Sequence, residues 1–332
     1  ITPGQKTHKI SSETNPVIYS WPSYRPSKFR DGWFLYQAIR KFKPVLILAN
    51  FGAVNISMIV SWLLRVPLRL ATYRTAAHFE YLEEKQKFKQ FIFIIRKIII
   101  YKFCTNVLPV AKVLSEELRD IYKVPQKKIQ HFYNALPNTK IMSSPKQEME
   151  IICVGNLSAG KGQDILLQSI YFVKETLPDI HLSLVGLDKW RGYLYDLTSE
   201  LGIEKNVSFL GQLPHPTVLS KIANSSILIL PTRYDACPKV VIEAMSLKTP
   251  VIASNVGGIP ELIRNNIDGF LIPTNNPKIL SEKIIYLLCN SELIEIMGHN
   301  AYEHYINNFE LTQAVEKQVN WMEYKISDVS ND

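Results

Sequence analysis

The sequence lacks the cysteine patterns of a disulfide-stabilised or zinc-binding protein. Its 332 residues include four cysteines, with no CxxC pair and no metal-ligand spacing. These are Cys104, Cys153, Cys237 and Cys289. Scattered cysteines in a chain of this length indicate free thiols in a reducing compartment. We therefore expect no bound metal and a cytoplasmic location.

Signals for export or for crossing a membrane are also missing. The start of this sequence shows no signal-peptide pattern. The apolar run over residues 45–64 approaches the length that spans a bilayer. Small or polar residues interrupt it at Asn50, Gly52, Asn55 and Ser57. The interruptions favour a strand over residues 45–49 followed by a helix, both buried in a protein core.

No nucleic-acid motif is present, although half of the chain is strongly basic. Residues 1–145 contain 23 Lys and Arg against 8 Asp and Glu, a net charge of +15. Residues 146–332 contain 15 against 22, a net charge of −7. This asymmetry indicates separate duties for the two halves. A basic half suits an anionic partner such as a membrane surface or a phosphorylated lipid.

The second half alternates short apolar runs with helical patterns. We predict strands over residues 150–154, 181–185, 207–210, 227–230, 251–253 and 270–272. We predict helices over residues 163–175, 193–201, 217–223, 239–247 and 259–263. Continuous apolar strands that alternate with helices are typical of a parallel sheet covered on both faces. Ligands of such sheets bind at the carboxyl ends of the strands.

The first half repeats this α/β pattern less clearly. Strands are predicted over residues 45–49, 68–72 and 106–109, and the polar segment 139–150 reads as a linker. We predict an N-terminal domain over residues 1–145 and a second domain over 146–310. A helix near residues 311–326 belongs to a C-terminal segment, 311–332, that either packs on its own domain or crosses back to the first.

Residues 91–103, FIFIIRKIIIYKF, form a helical segment that is apolar on nearly every side. Arg96, Lys97 and Lys102 interrupt it, and more lysines precede it. One interpretation is a basic, aromatic helix that lies on the inner face of the cell membrane. The other is a buried helix whose basic side chains extend outward to water.

Residues 155–162 read GNLSAGKG, close to the phosphate-binding pattern GxxxxGK[ST]. Gly162 stands where that pattern has the hydroxyl that binds magnesium, which disfavours a P-loop ATPase or GTPase. What remains is a strand, a turn of small residues and a helix that begins beside Lys161. This arrangement offers backbone N–H groups and one ammonium group to an anion without a metal. A plain turn with a solvated lysine is the alternative.

The segment DACPKVVIE places Asp235 just before a helix that starts at Pro238 and carries Glu243. Proline costs nothing at the first helical position, and the free N–H groups there face an anion. Glu243 lies five residues further on, about 7 Å along the axis. That spacing matches the distance from a diphosphate to ribose hydroxyls. Two carboxylates flanking a phosphate site suit a nucleotide-sugar, whereas Glu243 alone also fits an ordinary helix surface.

These motifs resemble those of the retaining GT-B glycosyltransferases of the group-1 family. DACPKVVIEAMSLKTPVIASNVGGIPELI is similar to the family pattern EGxPxxxxEAMAxGxPVVAxxxGGxxE, with its E-x7-E pair. VGNLSAGKG, LSLVG, NVSFLGQL and DGFLIP also match in order, so the likeness covers about residues 150–275. In the first half VPLRLATYRT and KVLSEELRDIYKVPQKKIQHFYNAL are only loosely similar. The resemblance implies two Rossmann-like domains whose parallel sheets face across a cleft.

The resemblance also implies roles for individual residues. Glu243 would hold the ribose, Asp235 the hydroxyls of the transferred sugar and Lys161 the diphosphate, and these three are the expected catalytic set. The expected donor-binding residues are Gly155, Asn156, Leu210, Leu213, Cys237, Pro238, Lys239, Val240 and Glu243. Gly257 and Gly258 would open the rim of the sheet beside the site. The reaction would retain the anomeric configuration and need neither a metal nor a cofactor beyond the nucleoside-diphosphate-sugar donor.

The sequence departs from the family pattern at three positions. Asn156 replaces an arginine that partners the lysine, which removes a contact worth about 1.5–3 kcal/mol; Lys239 and Arg233 are candidates to compensate. Asp235 is one methylene shorter than the family's glutamate. Arg74, with His78 nearby, stands where the family often has a histidine, and either is a candidate to face the acceptor.

The sequence therefore predicts a glycosyltransferase that moves a sugar from a UDP- or GDP-sugar to a saccharide or lipid-linked acceptor. A role in cell-surface polysaccharide or glycolipid synthesis, at an anionic membrane surface, follows from the basic first half. The departures leave a second interpretation, a catalytically inactive protein that binds nucleotide-sugars. Nothing before Trp21 fits the family's first strand and glycine-rich loop, and we expect that unit to be missing from this sequence.

Overall fold

The computed structural model describes residues 19, 21–23, 26–74, 87–138 and 147–330. The chain divides into two compact units, Ile1–Phe132 with Lys317–Asp332, and Tyr133–Glu316. Residues 133–138 thus group with the second unit, although the sequence interpretation placed them in a first domain ending at residue 145. Most of the predicted linker lies outside the described residues.

The first unit is built on a parallel sheet of three strands in the order β1-β2-β3. Its described elements are α1 (Phe29–Phe42), β1 (Leu46–Ala49), α2 (Val54–Leu63), β2 (Leu68–Tyr73), α3 (Lys87–Phe103), β3 (Asn106–Pro109) and α4 (Val113–Asp120). The strand register pairs Leu46 with Leu68 and Leu70 with Asn106. All three predicted strands of this half are confirmed within one or two residues.

Helices α1, α2 and α3 pack side by side, with α2 contacting both neighbours. The Trp62 and Phe103 rings join α2 to α3 at a centroid distance of 4.8 Å. Asp31 fixes the start of α1, because its carboxylate accepts hydrogen bonds from the N–H groups of Ser27 and Lys28. The apolar run at 45–64 is split into β1 and α2 as predicted.

The predicted burial of that run is only partly correct, because α2 leaves an apolar stripe exposed, and the neighbouring α3 exposes another. We call these two stripes together the α2/α3 patch, made of Ile59, Trp62, Leu63, Phe91, Ile92, Ile95 and Ile99. Phe91 is 60% exposed, whereas Ile100 and Tyr101 further along α3 are buried. Within the described ranges no helix has the length and apolarity needed to cross a membrane.

The second unit contains a parallel sheet of six strands in the order β6-β5-β4-β7-β8-β9. Its strands are β4 (Gln147–Val154), β5 (His181–Val185), β6 (Val207–Gly211), β7 (Ser225–Leu230), β8 (Val251–Ser254) and β9 (Gly269–Ile272). Its helices are α5 (Gln163–Thr176), α6 (Tyr193–Glu200), α7 (His215–Asn224), α8 (Lys239–Ser246), α9 (Pro277–Leu288) and α10 (Ser291–Asn308), followed by α11 (Leu311–Ser330). The contact division assigns α11 to the first unit from Lys317 onward.

Burial explains why the strands of the second unit are recognisable in the sequence. Every residue of β7 and of β8 is buried, so both strands consist of continuous small or apolar side chains. Helices cover them, for example α5 through the buried Leu166 and Ile170. The predicted strands and four of the five predicted helices of this half are confirmed.

The fifth predicted helix, at residues 259–263, is wrong. The structure has a single turn of 3₁₀ helix, Ile259–Glu261. The chain leaves the helical path at Arg264, whose N–H donates to the Asp268 carboxylate at 2.7 Å instead of continuing a helical ladder. Asp268 also accepts from the Arg264 guanidinium at 2.6 Å, which holds the turn.

Candidate active site

The predicted site residues of the second unit cluster at the carboxyl ends of β4 and β7. These strands are neighbours at the centre of the sheet. From β4 the chain proceeds outward through β5 and β6, and it then returns to the other side of β4 as β7. The strand order therefore reverses between β4 and β7, which is the position where open parallel sheets bind ligands.

Two loops leave the sheet at this point: residues 155–162 after β4 and residues 231–238 after β7. Backbone contacts join them, because the Gly160 carbonyl accepts hydrogen bonds from the Thr232 hydroxyl at 3.0 Å and from the Arg233 N–H at 2.9 Å. Gly162 has a φ of +70°, and a Cβ added there would lie 2.0 Å from the Pro231 carbonyl oxygen. Glycine is therefore required at the position where the phosphate-binding pattern GxxxxGK[ST] has a hydroxyl.

An ion pair between the second loop and the start of α5 reinforces this junction. The Arg233 guanidinium binds Asp164 through two nitrogens, at 3.0 and 2.8 Å, and it also donates to Asn275 and to the Ala159 carbonyl. A bidentate pair of this kind fixes both partners in orientation. Arg233 is therefore directed at Asp164, which leaves Lys239, an exposed residue at the start of α8, as the remaining candidate to compensate for Asn156.

The junction brings Lys161 and Asp235 into direct contact. The Lys161 Nζ lies 2.5 Å from the Asp235 Oδ2, although the two residues are 74 positions apart. Their side chains retain 33% and 21% exposure, so both remain accessible from one side. A phosphate that binds Lys161 competes with Asp235 for the same ammonium group, and the freed carboxylate then accepts hydrogen bonds from hydroxyl donors.

The backbone of Asp235 is held from the other side by the predicted glycine pair. The Gly258 N–H donates to the Asp235 carbonyl at 2.9 Å. Gly257 has a φ of +56°, and a Cβ there would lie 2.0 Å from the same oxygen. Glycine is thus needed at position 257 for the close approach of the β8 loop to the loop that carries Asp235, whereas Gly258 contributes only its backbone N–H.

Glu243 lies one turn inside α8, which begins at Lys239. Pro238 is the N-cap of this helix, one position before the first helical position that the sequence predicted for it. The Glu243 side chain is 12% exposed, and its Oε1 lies 3.0 Å from the Nε2 of His215. His215 is the first residue of α7 and comes shortly after Leu210 and Leu213, two of the expected donor-binding residues. The sequence interpretation missed His215, because its 28-residue separation from Glu243 gives no periodic signal.

Two further residues near the site belong to a segment that resembles the family, although the sequence predicted no role for them. The Asn134 side chain donates to the Cys237 carbonyl at 2.8 Å, just ahead of α8. Tyr133 donates to Glu261 at 2.9 Å, and burial together with this contact raises the pKa of Tyr133. Both residues sit in HFYNAL, whose resemblance to a family motif was the available signal.

The remaining predicted residues occupy less constrained positions. Asn156 has an exposed side chain, and its carbonyl accepts from the Gln163 amide at 3.1 Å. Leu210 and Leu213 are half-buried at the carboxyl end of β6. Arg74 follows β2 in the first unit, and His78 lies outside the described residues.

Comparison with known proteins supports the family resemblance. The model of the family "Glycosyl transferases group 1" matches residues 137–304, about half of the chain. An uncharacterized glycosyltransferase of Methanocaldococcus jannaschii is 27% identical over 242 residues, which is 68% of this chain and 61% of the relative. A D-inositol 3-phosphate glycosyltransferase of Corynebacterium glutamicum is 24% identical over 240 residues, 63% of this chain and 56% of that protein. The chain spans 61%, 41% and 46% of the lengths of three uncharacterized glycosyltransferases, the first of which is the M. jannaschii relative just described.

Solved structures show the same fold. Sucrose-phosphate synthase of Thermosynechococcus elongatus gives a TM-score of 0.76 at 21% identity, covering 90% of this chain and 78% of that one. Anabaena HepE, solved in complex with UDP and glucose, gives a TM-score of 0.75 at 17% identity, and the match covers 89% of this chain and 81% of HepE. These likenesses confirm the predicted α/β fold class, GT-B, with a parallel sheet in each unit.

The packing of Gly162 on Pro231 predicts a large cost for adding one methyl group. Gly162→Ala combines an unfavourable positive φ with a clash against a carbonyl, and we expect it to lower the free energy of unfolding by on the order of 3 kcal/mol. Gly202→Ala is the matched control, because Gly202 has a φ of +60° with nothing within 4 Å. We expect the free energy of unfolding of that variant to fall by about 1–2 kcal/mol. If urea denaturation showed the same decrease in the free energy of unfolding for both variants, the two loops would not be packed as described.

Proposed function

The chain belongs to the group 1 family of glycosyl transferases, and we propose that it transfers a sugar from a nucleoside-diphosphate sugar to a saccharide or lipid-linked acceptor. The observation that carries this proposal is the contact between Lys161 and Asp235 at the point where the strand order of the second sheet reverses. The two side chains lie next to the start of α8, and they provide a cation that suits phosphates and a carboxylate that suits hydroxyl groups.

The proposed donor pose follows from the chemistry of each group. Lys161 binds the diphosphate, and the N–H groups at the start of α8, near Cys237, Lys239 and Val240, add partial positive charge. Asp235 is released to accept hydrogen bonds from the hydroxyls of the transferred sugar. Glu243, about 7 Å further along the helix axis, accepts hydrogen bonds from the ribose.

We further propose that Leu210 and Leu213 flank the base and that His215 orients Glu243. The His215 ring already contacts the Glu243 carboxylate at 3.0 Å, so it holds that side chain at the mouth of the site before ribose binds. The HepE structure with UDP motivates uridine nucleotides as the first donors to test.

The proposed chemistry is electrostatic. The bond between the sugar's anomeric carbon and the phosphate oxygen breaks as the acceptor oxygen bonds to the same face of that carbon, so the anomeric configuration is retained. The departing diphosphate takes the acceptor's proton on a phosphate oxygen. Lys161 and the helix N-terminus stabilise the charge that develops on the diphosphate, a role that needs no metal.

Two observations favour a second candidate, a protein that binds nucleotide-sugars without turning them over. Asn156 supplies no charge where the family has an arginine, and the Arg233 guanidinium is held by Asp164. Unless Lys239 or another cation joins Lys161, the leaving diphosphate is stabilised by one cation fewer than the family pattern provides. Donor binding without transfer or hydrolysis in the full-length protein would favour this candidate.

We also propose that the first unit docks on an anionic membrane through the α2/α3 patch. The patch exposes seven large apolar side chains on two adjacent helices. Exposed basic residues accompany it, among them Arg65 just after α2, and Arg96 and Lys102 on α3. Apolar side chains next to basic ones are the composition that binds the interface of an anionic bilayer.

Replacement of Glu243 tests the donor pose. Glu243→Ala removes the proposed ribose acceptor, and we expect the affinity for UDP to fall by about tenfold or more. Inorganic pyrophosphate, which has no ribose, should bind both proteins equally. Glu200→Ala, at an exposed glutamate on α6, is the control and should leave both affinities unchanged. Unchanged UDP affinity in Glu243→Ala, measured by isothermal titration, would refute the ribose assignment.

Substitution of a single patch residue tests membrane docking. Ile92→Asp places a carboxylate in the α2/α3 patch, and we expect the fraction bound to phosphatidylglycerol vesicles at low salt to fall about fivefold or more. Ile296→Asp, in the second unit, is a close control, because Ile92 and Ile296 are 50% and 49% exposed. Equal binding of the two variants, or no binding by the unmodified protein, would exclude this surface as the docking site.

A further inference from the structure

A cavity of about 490 Å³ opens in the first unit at the amino ends of β1 and β2. One wall comes from the end of α1, with Arg40 and Lys43, and the other comes from the segment after α2, with Arg65. The volume is within the size range of small-molecule sites. Because open parallel sheets bind their substrates at the carboxyl ends of the strands, this cavity is separate from a site of that kind.

The parallel register of the sheet brings two of these cations to the same place. Leu46 pairs with Leu68, and Lys43 and Arg65 each stand three residues before one member of this pair. Both have a left-handed backbone conformation, with φ of +44° and +54°, at the point where the chain leaves a helix for the next strand. Adjacent strands lie about 5 Å apart, so the two residues share one edge of the sheet and one cavity.

No acidic side chain of the described lining balances these three positive charges. The lining includes no carboxylate, and within the described ranges Arg40, Lys43 and Arg65 form no ion pair. Residues 26–74 contain eight basic residues and one acidic residue, Asp31. The Asp31 carboxylate is fully buried at the start of α1, where it accepts hydrogen bonds from two backbone N–H groups. It lies about 14 Å from Arg40 along the helix axis.

The usual partner of a basic residue at the end of a helix is the negative end of the helix dipole. The C-terminal ends of α1 and α2 each carry about half a negative charge, about −1 together, against +3 for the three side chains. The backbone carbonyls of Val66 and Pro67 in the lining offset nothing further, because the Arg69 guanidinium donates to both. About two positive charges therefore remain for a ligand.

The rest of the lining is largely apolar, and it adjoins the α2/α3 patch. Leu64 lines the cavity, and the two residues before it, Trp62 and Leu63, belong to the patch. Leu63 is 63% exposed, so exposed apolar surface continues from the patch to the rim of the cavity. Pro44 and Pro67 add further apolar lining. A ligand in this cavity therefore meets cations and apolar side chains together.

From this arrangement we infer that the cavity binds the headgroup phosphate of an anionic glycerophospholipid. The planar guanidinium groups of Arg40 and Arg65 suit phosphate oxygens, and Lys43 adds a third charged donor. The glycerol and the first methylene groups contact Leu64 and the prolines, and the acyl chains lie beside the patch. A soluble phosphate ester would use the cations alone. The choice of a lipid rests on the proposed membrane docking of the first unit, whereas the cationic cavity does not.

The experiment uses the full chain with Lys43→Gln and Arg65→Gln combined. The control combines Lys123→Gln and Lys127→Gln, which remove the same charge from exposed positions of the first unit outside the lining. Lys123 also has the same left-handed backbone conformation, with a φ of +54°. The probe is dihexanoyl phosphatidylglycerol, a short-chain lipid, titrated calorimetrically below its micelle concentration. We expect one lipid per chain, an affinity about tenfold lower or more in the double variant, and a change of less than about twofold in the control.

Two further probes identify the source of the phosphate. Dihexanoyl phosphatidylcholine, whose choline cation offsets the phosphate charge, should bind about tenfold more weakly than the phosphatidylglycerol. Glycerol 3-phosphate should also bind about tenfold more weakly, because it leaves the apolar lining without a partner. If glycerol 3-phosphate bound as tightly as the short-chain phosphatidylglycerol, the site would be one for a soluble phosphate ester and the lipid assignment would be wrong.

Single variants at Lys43 separate loss of charge from misfolding. Lys43→Arg keeps the charge and should bind the short-chain phosphatidylglycerol as the unmodified protein does, whereas Lys43→Gln should bind it more weakly. Unchanged binding by the double variant, an equal loss in the control, or no binding by the unmodified protein would each overturn the inference.

Vesicle binding, measured on the same proteins, keeps this inference separate from the proposed docking. If the double variant lost the short-chain lipid while Ile92→Asp left vesicle binding unchanged, the headgroup site would stand and docking through the α2/α3 patch would fail. If Ile92→Asp lowered vesicle binding while the double variant kept its affinity for the short-chain lipid, the docking would stand and the headgroup site would fail. Neither outcome depends on UDP binding, so the proposed glycosyl transfer is tested independently.

Discussion

The proposed donor site depends on the junction between the loops that follow β4 and β7. One carbonyl, that of Gly160, accepts two hydrogen bonds from the second loop, and Gly162 lies so close to Pro231 that no other residue fits. These contacts fix the loops at the reversal of strand order. As a result Lys161 and Asp235, 74 residues apart, meet at 2.5 Å. The proposed function uses this contact as a pair that a nucleotide-sugar separates, with the diphosphate on the lysine and the sugar on the carboxylate.

The charge asymmetry of the sequence has a counterpart in the two units. The basic first half, at +15, gathers Arg40, Lys43 and Arg65 around one cavity and places further cations beside the α2/α3 patch. The acidic second half includes Asp235 and Glu243, the two carboxylates to which the proposed function assigns hydroxyl groups of the donor. The proposed function uses this division of charge, with basic residues of the first unit for an anionic membrane surface and carboxylates of the second for the donor's hydroxyl groups.

Much of the second unit could be predicted from the sequence, because strands buried on both faces must be apolar throughout. β7 and β8 are examples, and the motif around Gly257 predicts a glycine-dependent position that its φ of +56° confirms. Contacts between distant segments could not be predicted in this way. No periodicity links His215 to Glu243 or Arg233 to Asp164, since these pairs form only when separate loops meet at one edge of the sheet. In the first unit, burial was overestimated for α2, because the sequence of an apolar helix face does not show whether the protein core covers that face.

The most direct test of the central claim compares UDP with UDP-glucose in two variants. If the donor divides the Lys161–Asp235 pair, Lys161→Ala should weaken both ligands alike, by about tenfold or more, because both contain the diphosphate. Asp235→Ala should lower the affinity for UDP-glucose alone. The affinity for UDP should stay the same or rise, because Lys161 no longer has a competing carboxylate. Isothermal titration measures all four affinities. An equal loss of UDP and UDP-glucose binding in Asp235→Ala would contradict the account.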